Sequence, residues 1–364
     1  MAKKDWMIKE SELDEDQIRV LMATHEKSCV VTGCAGSGKS ALALIKAGRI
    51  QKEKGNNYKI IVFTKALCRY MNAGKEALKL TNDFFYYWDW KNHYNAPSAD
   101  YIIVDEIQDF NQEEIKHLLT ATNKYYFFFG DTSQSIYETL KANIIPIEDL
   151  RILTPINNKP KNWELFYNYR LPKSVAKIAH YIGIDLDPTN DEEIERKYKS
   201  TETTIPKIIQ YTNTEKLLKS IINILKHTTS TDIGILFQTN IQVKAFCYFL
   251  KEFKLNYETR YQIIDKNGRL IEHLNTLNFN TTNPKVMTFH SAKGLQFETI
   301  ILLWTGFKFN DKRQISEQKA LYVAMTRTYK DLYIAYIGDL PHPLSQIPTH
   351  LYITSEIEEE IKDI

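Results

Sequence analysis

The octapeptide GCAGSGKS, Gly33 to Ser40, constrains the fold most, because a loop of this kind requires particular neighbours. It follows SCVVT, an apolar run typical of a buried strand, and it precedes SALALIKAGRIQKEK, which has a helical pattern. Gly36 and Gly38 allow backbone N–H groups to turn inward around phosphate oxygens, and the helix N-terminus adds its positive end. The stretch therefore predicts a nucleoside triphosphate site at the end of a strand in an α/β sheet.

Within this loop, Lys39 is expected to supply positive charge to the β- and γ-phosphates. Ser40 is expected to offer its hydroxyl to Mg²⁺. The residues that we assign to nucleotide binding on this basis are Gly33, Gly36, Ser37, Gly38, Lys39 and Ser40.

Two adjacent acids close another apolar run, VDEIQDF, some 65 residues after the phosphate loop. Ligands bind where the strands of an α/β sheet end, so these acids fall where a bound nucleotide would lie. Asp105 is expected to join the Mg²⁺ shell, and Glu106 is expected to orient or deprotonate a water. An isolated Asp-Glu pair is more often a surface pair, but this spacing favours hydrolysis over phosphorylation of a small molecule.

The apolar runs that we interpret as strands alternate with helical patterns, which predicts mainly parallel sheets built from βαβ units. A chain of 364 residues exceeds the usual size of one core. Prolines at 146, 155 and 160 mark the expected boundary between domains 1–155 and 156–364. Asn111 and Thr214 are predicted helix caps, and the acidic segment 185–195 is predicted to be a solvated loop.

The bulk composition excludes several classes of protein. The net charge of +2 neither requires nor rules out a nucleic-acid partner, and the four cysteines form no CxxC pair. The N-terminal stretch MAKKDWMIKE lacks the apolar core of a signal peptide, and no apolar run reaches the length of a membrane span. We therefore expect a cytoplasmic protein without a membrane partner.

Further motifs resemble those of superfamily 1 helicases of the UvrD/Rep type. The matching blocks are DEDQIRVL, VFTKAL, DEIQD, GDTSQSIY, NYR, TFHSAKGLQF and YVAMTR, and they occur in family order from residue 14 to residue 327. The resemblance implies two tandem RecA-like P-loop NTPase domains that use ATP and Mg²⁺. It also implies single-stranded DNA as a partner, with RNA left open.

The resemblance also implies roles for residues at matching positions. Gln17 would read the adenine edge, Tyr169 would stack on the ring, and Gln134 would sense the γ-phosphate. Arg170 and Arg327 would reach across from the second half as arginine fingers, and each such group can be worth about 10³–10⁵ in rate. The remaining expected contacts are Gly294 and Gln296 for the nucleotide, and Phe63, Thr64, Tyr137, Thr288 and His290 for nucleic acid. For Phe63 and His290, a place in the core is an alternative.

The sequence departs from the family at several places. Ala41 stands where an adenine-flanking Arg is usual, Gln296 replaces a ribose-contacting Glu, and the third motif lacks its base-stacking Trp. The chain also has little room for the two large subdomain insertions of full-size members. The aromatic segment TNDFFYYWDWKNHY, residues 81–94, is either a replacement stacking platform, a partner surface or core, and we expect about half of its rings in the core.

These features favour an ATP-dependent, DNA-stimulated translocase or helicase with 3′→5′ polarity. The small size and the altered third motif leave a second hypothesis open. In that reading the chain is an ATP-gated nucleic-acid sensor, or a regulatory subunit of a separate nuclease in a repair or antiviral defence system. A P-loop kinase explains neither the second domain nor the two arginines.

Overall fold

The computed structural model describes residues 10–82, 84–131, 142–184, 186–305 and 314–354. These residues form two β-sheets. The strands of the first sheet are β1 (Cys29–Gly33), β2 (Tyr58–Val62), β3 (Phe84–Tyr86), β4 (Ala99–Asp105), β5 (Thr122–Gly130) and β6 (Lys161–Leu165). They lie in the order β3-β2-β4-β5-β1-β6, and every neighbouring pair is parallel. The carboxyl ends of β1, β4 and β5 therefore meet at one edge.

The helices that accompany the first sheet are α1 (Glu15–Met22), α2 (Lys39–Lys54), α3 (Lys65–Ala77), α4 (Tyr87–Asn92), α5 (Gln112–Thr120) and α6 (Leu150–Leu153). Asn111 caps α5, as predicted: its side chain accepts a hydrogen bond from the backbone N–H of Glu114. Apolar residues on both faces of the sheet are buried, which explains why its strands are nearly continuous apolar runs.

The second sheet follows in the chain and is parallel except for one hairpin. Its strands are β7 (Lys207–Tyr211), β8 (Ile233–Phe237), β9 (Glu258–Ile264), β10 (Leu270–Asn275), β11 (Lys285–Thr288), β12 (Phe297–Thr305) and β13 (Thr328–Ile337). Their order is β10-β9-β11-β8-β12-β13-β7, with β9 and β10 antiparallel. The remaining helices are α7 (Lys173–His180), α8 (Asp191–Lys197), α9 (Thr214–His227), α10 (Asn240–Glu252) and α11 (Gln314–Met325). The predicted α/β fold class, with two mainly parallel sheets flanked by helices, is confirmed.

Two local predictions are wrong. Asn213, rather than Thr214, caps α9, since its side chain accepts the N–H of Lys216 and Thr214 is already helical. The acidic segment is not wholly a loop, because α8 forms over its second half. Asn190 caps this helix, Ile194 is buried, and acids in a first turn suit the positive end of a helix.

The strand β6 lies beyond the predicted domain boundary at residue 155, yet it pairs with β1 in the first sheet. The chain of the first sheet therefore continues to Leu165. The division into domains 1–155 and 156–364 otherwise stays a prediction. No helix within the described part of the chain is long and apolar enough to cross a membrane.

The aromatic segment divides between core and surface. Trp90 and Tyr87 are fully buried, and Tyr87 packs edge-on against Phe110 with ring centroids 5.3 Å apart. Trp88 keeps 37% of its surface exposed, and the Lys91 ammonium lies 5.7 Å from the centre of its ring. Of the two tryptophans in this segment, only Trp88 is available to another molecule.

Candidate functional site

The phosphate loop connects β1 to α2 with the geometry expected of it. Gly36 and Gly38 both adopt positive φ, at 80° and 89°, where a side chain would strain the backbone. A Cβ on Gly33 would come within 2.7 Å of the Ser37 hydroxyl, so this position is also tightly packed. The Lys39 ammonium donates to the carbonyls of Gly33 and Cys34 at 2.6 and 2.9 Å. The loop and its lysine thus form a compact, positively charged cradle.

Asp105 and Glu106 end β4 beside this loop. The backbone N–H of Glu106 donates to Asp105 Oδ1 at 3.0 Å, and Glu106 has a left-handed backbone with φ 59°. The Gln108 amide donates to the Glu106 carboxylate, and its oxygen accepts the N–H of Asp131 at 3.0 Å. Because Gln108 is buried, it fixes the orientation of the carboxylate that we predict to handle water.

The chemistry of this donor set fits a divalent cation. Burial, together with the adjacent charge of Glu106, raises the pKa of Asp105 to about 7. The nearby Ser40 hydroxyl and the charge of Lys39 act in the opposite direction. A buried carboxylate next to a hydroxyl is costly without a cation, and hard oxygen ligands of this kind suit Mg²⁺.

Gln17 and Tyr169 both contact the phosphate loop. Gln17 belongs to a capping box at the start of α1, and its amide donates to the Ser37 carbonyl at 2.9 Å. The Tyr169 hydroxyl donates to Asp14 of the same capping box at 2.5 Å. Tyr169 is 38% exposed, so its ring has a face available for a base. The structure therefore places both residues that we predict to contact adenine next to each other, beside the phosphate loop.

Arg170 and Arg327 approach Glu106 from different parts of the chain. Arg170 follows β6 of the first sheet, while Arg327 follows α11 and precedes β13 of the second sheet. Burial and the charge of Arg327 lower the pKa of Arg170, and burial lowers the pKa of Arg327, whereas the carboxylate of Glu106 opposes both shifts. Arg170 Nη2 donates to the Thr326 carbonyl at 2.8 Å. The charge of the Glu106 carboxylate thus acts on both guanidinium groups, and the hydrogen bond to Thr326 holds Arg170 beside the segment of Arg327.

The buried Nε of Arg170 has no hydrogen-bond partner among the residues that the structure describes. Two desolvated cations that share the single charge of Glu106, one of them with an unused buried donor, are unfavourable unless a further anion joins them. The triphosphate is an anion of the required charge. The buried Nε donor of Arg170 therefore supports ATP as the ligand that these residues fit.

A third group of residues connects the segments of the two sheets. Lys293 forms an ion pair with Asp109 at 2.5 Å, and the side chains are 1% and 0% exposed. Gly294 has φ 77°, and a Cβ there would come within 2.9 Å of the Leu67 side chain in α3. Gln296, expected near the ribose, lies near the hydroxyl of Tyr70, also in α3. Gly294 and Gln296 thus lie at a domain contact.

The predicted nucleic-acid contacts are partly structural. Phe63 is 9% exposed and packs edge-on against Phe110 at 5.2 Å, and the Thr64 hydroxyl accepts the N–H of Leu67 at the start of α3. Thr288 is buried, with its hydroxyl donating to Ser291 at 3.0 Å. Burial, with the charge of Lys293, lowers the pKa of His290 to about 4. Gln134 and Tyr137 lie outside the described residues.

Three residues of the site have a role that the sequence motifs did not predict. Gln108, Asp109 and Asn168 lie inside the motifs DEIQD and NYR, but the motifs alone predict no role for them. All three are polar residues next to predicted catalytic groups. A polar side chain that is buried there requires a hydrogen-bond partner, and this requirement was the available signal. The partners themselves are distant in sequence.

Comparison with known protein families gives two matches along the chain. Residues 17–140 match the model of an AAA domain, and residues 272–339 match the model of the UvrD-like helicase C-terminal domain. The first covers the phosphate loop and the acids Asp105 and Glu106. The second covers the motif with Thr288 and His290, and also Arg327.

The chain is also similar to individual helicases. A probable DNA helicase from Mycoplasma pneumoniae is 25% identical over 66% of this chain and 44% of its own length. The ATP-dependent DNA helicase Rep from Buchnera aphidicola is 31% identical over 43% of this chain and 24% of its own. The chain thus spans less than half the length of these curated relatives. The crystal structure of Pif1 helicase from Bacteroides with ADP-AlF3 and ssDNA aligns with 94% of this chain and 95% of its own, at 14% identity and a TM-score of 0.47.

Proposed function

Because the chain belongs to the UvrD/Rep-like superfamily 1 helicases, we propose that it is an ATPase that moves along single-stranded DNA. The observation that carries this proposal is the hydrogen bond at 2.8 Å from Arg170, which follows β6 of the first sheet, to the carbonyl of Thr326, the residue before Arg327. It places two guanidinium-bearing segments together, and the charge of Glu106 acts on both groups. A site completed by both domains closes and opens as the nucleotide changes, so hydrolysis is converted into relative motion.

The residues divide the chemistry of hydrolysis among them. Lys39 holds the β- and γ-phosphates, and Glu106, oriented by Gln108, directs the attacking water. Arg170 and Arg327 stabilise the charge that develops on the transferred phosphoryl group. Each step uses a group whose position is fixed by a buried hydrogen bond or by the edge of the sheet.

Mg²⁺ is the metal that this site fits, with Ser40 and Asp105 as its protein ligands. When bound, the ion neutralises charge on the β- and γ-phosphates. Gln17 and Tyr169 are proposed to hold the adenine, and Gln134 is proposed to sense the γ-phosphate.

We propose that the single strand crosses the domain junction at the loop that bears Thr288, His290 and Ser291. Arg260 donates to the Ser291 hydroxyl at 2.7 Å, which adds a positive charge beside this loop. Phe63, Thr64 and Tyr137 complete the proposed contacts, and the proposed polarity is 3′→5′. Stacking and backbone charge contacts of this kind bind single strands without requiring a sequence.

ATP turnover measured with and without oligo-dT at low salt tests the proposal. We expect oligo-dT to accelerate turnover, and Glu106→Gln to retain ATP binding while hydrolysing it very slowly. Strand displacement from 3′-tailed and 5′-tailed duplexes then tests the polarity. ATP turnover that oligo-dT does not accelerate, or that is unchanged in Glu106→Gln, would refute the proposed motor function.

The alternative role, a sensor or regulatory subunit of a nuclease, stays a prediction. It differs from the motor in one measurable property. An isolated chain that displaces a strand by itself excludes the subunit role, whereas ATP-dependent DNA binding without displacement favours it.

A further inference from the structure

Asn168 connects the phosphate loop to the backbone of Arg170. Its side chain is buried, with 1% of its surface exposed. The amide nitrogen donates to the Ala35 carbonyl in the phosphate loop at 2.5 Å. The amide oxygen accepts the backbone N–H groups of Arg170 and Leu171 at 3.0 and 2.8 Å. One side chain thus joins two catalytic segments that are more than 130 residues apart.

The backbone reinforces this connection. The N–H of Tyr169 donates to the Gly36 carbonyl at 3.1 Å. A Cβ on Gly36 would come within 2.6 Å of Asn168 Oδ1 and 2.9 Å of the Arg170 Cβ. The glycine therefore permits a close approach that a larger residue would prevent, and the segment 168–170 rests directly on the phosphate loop.

We propose that Asn168 is a positioning residue that holds Arg170 against the phosphate loop of the first domain. This inference rests on the proposed function, because it concerns the geometry of ATP hydrolysis. Arg170 then differs from Arg327. Asn168 fixes Arg170 relative to the phosphate loop, whereas Arg327 is carried by the segment before β13 of the second sheet.

The bonds made by Asn168 explain why an Asn is suited to this position. The side chain must donate to a carbonyl on one side and accept two N–H groups on the other, and a carboxamide does both. Its loss leaves a buried carbonyl and two N–H groups without their partner, so the segment can shift. Misplacement of a catalytic group by about 1 Å can cost about 10²-fold in rate.

A double-mutant cycle on ATP turnover tests the role. Arg170→Ala is expected to lower kcat by about 10³-fold or more. Asn168→Ala is expected to lower kcat by about 10²-fold in the wild-type background. In the Arg170→Ala background, Asn168→Ala should have almost no further effect, because the group that it positions is gone. Binding of ADP should stay near wild type in all three variants, since ADP lacks the γ-phosphate.

Two further variants keep the test decisive. Asn162→Ala removes an exposed Asn from β6 and should leave turnover unchanged. If Asn168→Ala does not fold, Asn168→Asp replaces it in the same cycle, because it keeps the acceptor for Arg170 and Leu171 and replaces the donor to Ala35 with an acceptor. Additive losses in kcat, with an active wild type, would overturn the role of Asn168 alone. A wild type without ATP turnover would instead refute the proposed function.

Discussion

Breaking the buried ion pair between Asp109 and Lys293 should loosen the contact between the two domains. The pair is 2.5 Å long, and both side chains are at most 1% exposed. Asp109→Asn removes the carboxylate that pairs with the buried Lys293 ammonium, and breaking a buried pair in this way costs about 3–5 kcal/mol. We therefore expect the free energy of unfolding to fall by about 3–5 kcal/mol, as for a core truncation.

Urea unfolding followed by tryptophan fluorescence measures this change. Lys293→Met should cost a similar amount, whereas Asp109→Asn with Lys293→Met should recover most of the loss, because no unpaired charge remains. DNA stimulation of ATP turnover should fall in the single variants, since the pair links the segment of Glu106 to the loop of Thr288. Single variants that cost less than about 1 kcal/mol, as exposed pairs do, would refute the reasoning.

Other expectations follow from the same contacts. Glu106→Gln should slow ATP turnover by about 10²–10⁴-fold while an ATP-binding assay stays unchanged. The pKa of His290 is about 4, below its ordinary 6.5. Its neutral form therefore stabilises the fold above pH 6.5, and this stability is lost as pH falls toward 4. In thermal unfolding measured across this pH range, His290→Gln should weaken the pH dependence. Trp90→Ala should cost about 3–5 kcal/mol in urea unfolding, and Trp88→Ala less than about 1.

The sequence was most informative where both faces of a strand are buried. Runs such as KIIVF and IGILF were predictable because burial on both faces requires continuous apolar residues. The strand β6, KNWEL, was missed because four of its five residues keep exposed or half-buried surface. The hairpin β9–β10 was missed for a similar reason, since it forms the edge of its sheet and carries many polar residues.

The candidate site was predictable residue by residue but not contact by contact. Motif spacing identified Lys39, Asp105 and Glu106, because each lies next to a recognisable strand end. The bond from Asn168 to Ala35 and the pair Lys293–Asp109 span 133 and 184 residues. Such pairings depend on how the two sheets dock, which local patterns do not encode.

The position of Arg170 shows the same limit. We expected both arginines to reach across from the second half of the chain. The structure places Arg170 directly after β6, on a segment hydrogen-bonded to the phosphate loop, and leaves Arg327 as the residue contributed by the second sheet. Arg170 follows β6, a polar strand at the edge of the first sheet. The apolar pattern of β6 was too weak for this strand to be predicted from the sequence.

ATP turnover of Arg327→Ala at saturating oligo-dT is the most direct measurement of whether both domains build the site. With ADP affinity unchanged, the variant should lose about 10³-fold or more of the DNA-stimulated kcat, because a guanidinium contributed by the second domain is missing from the transition state. A variant that turns over ATP as fast as wild type would show that hydrolysis needs the first domain alone.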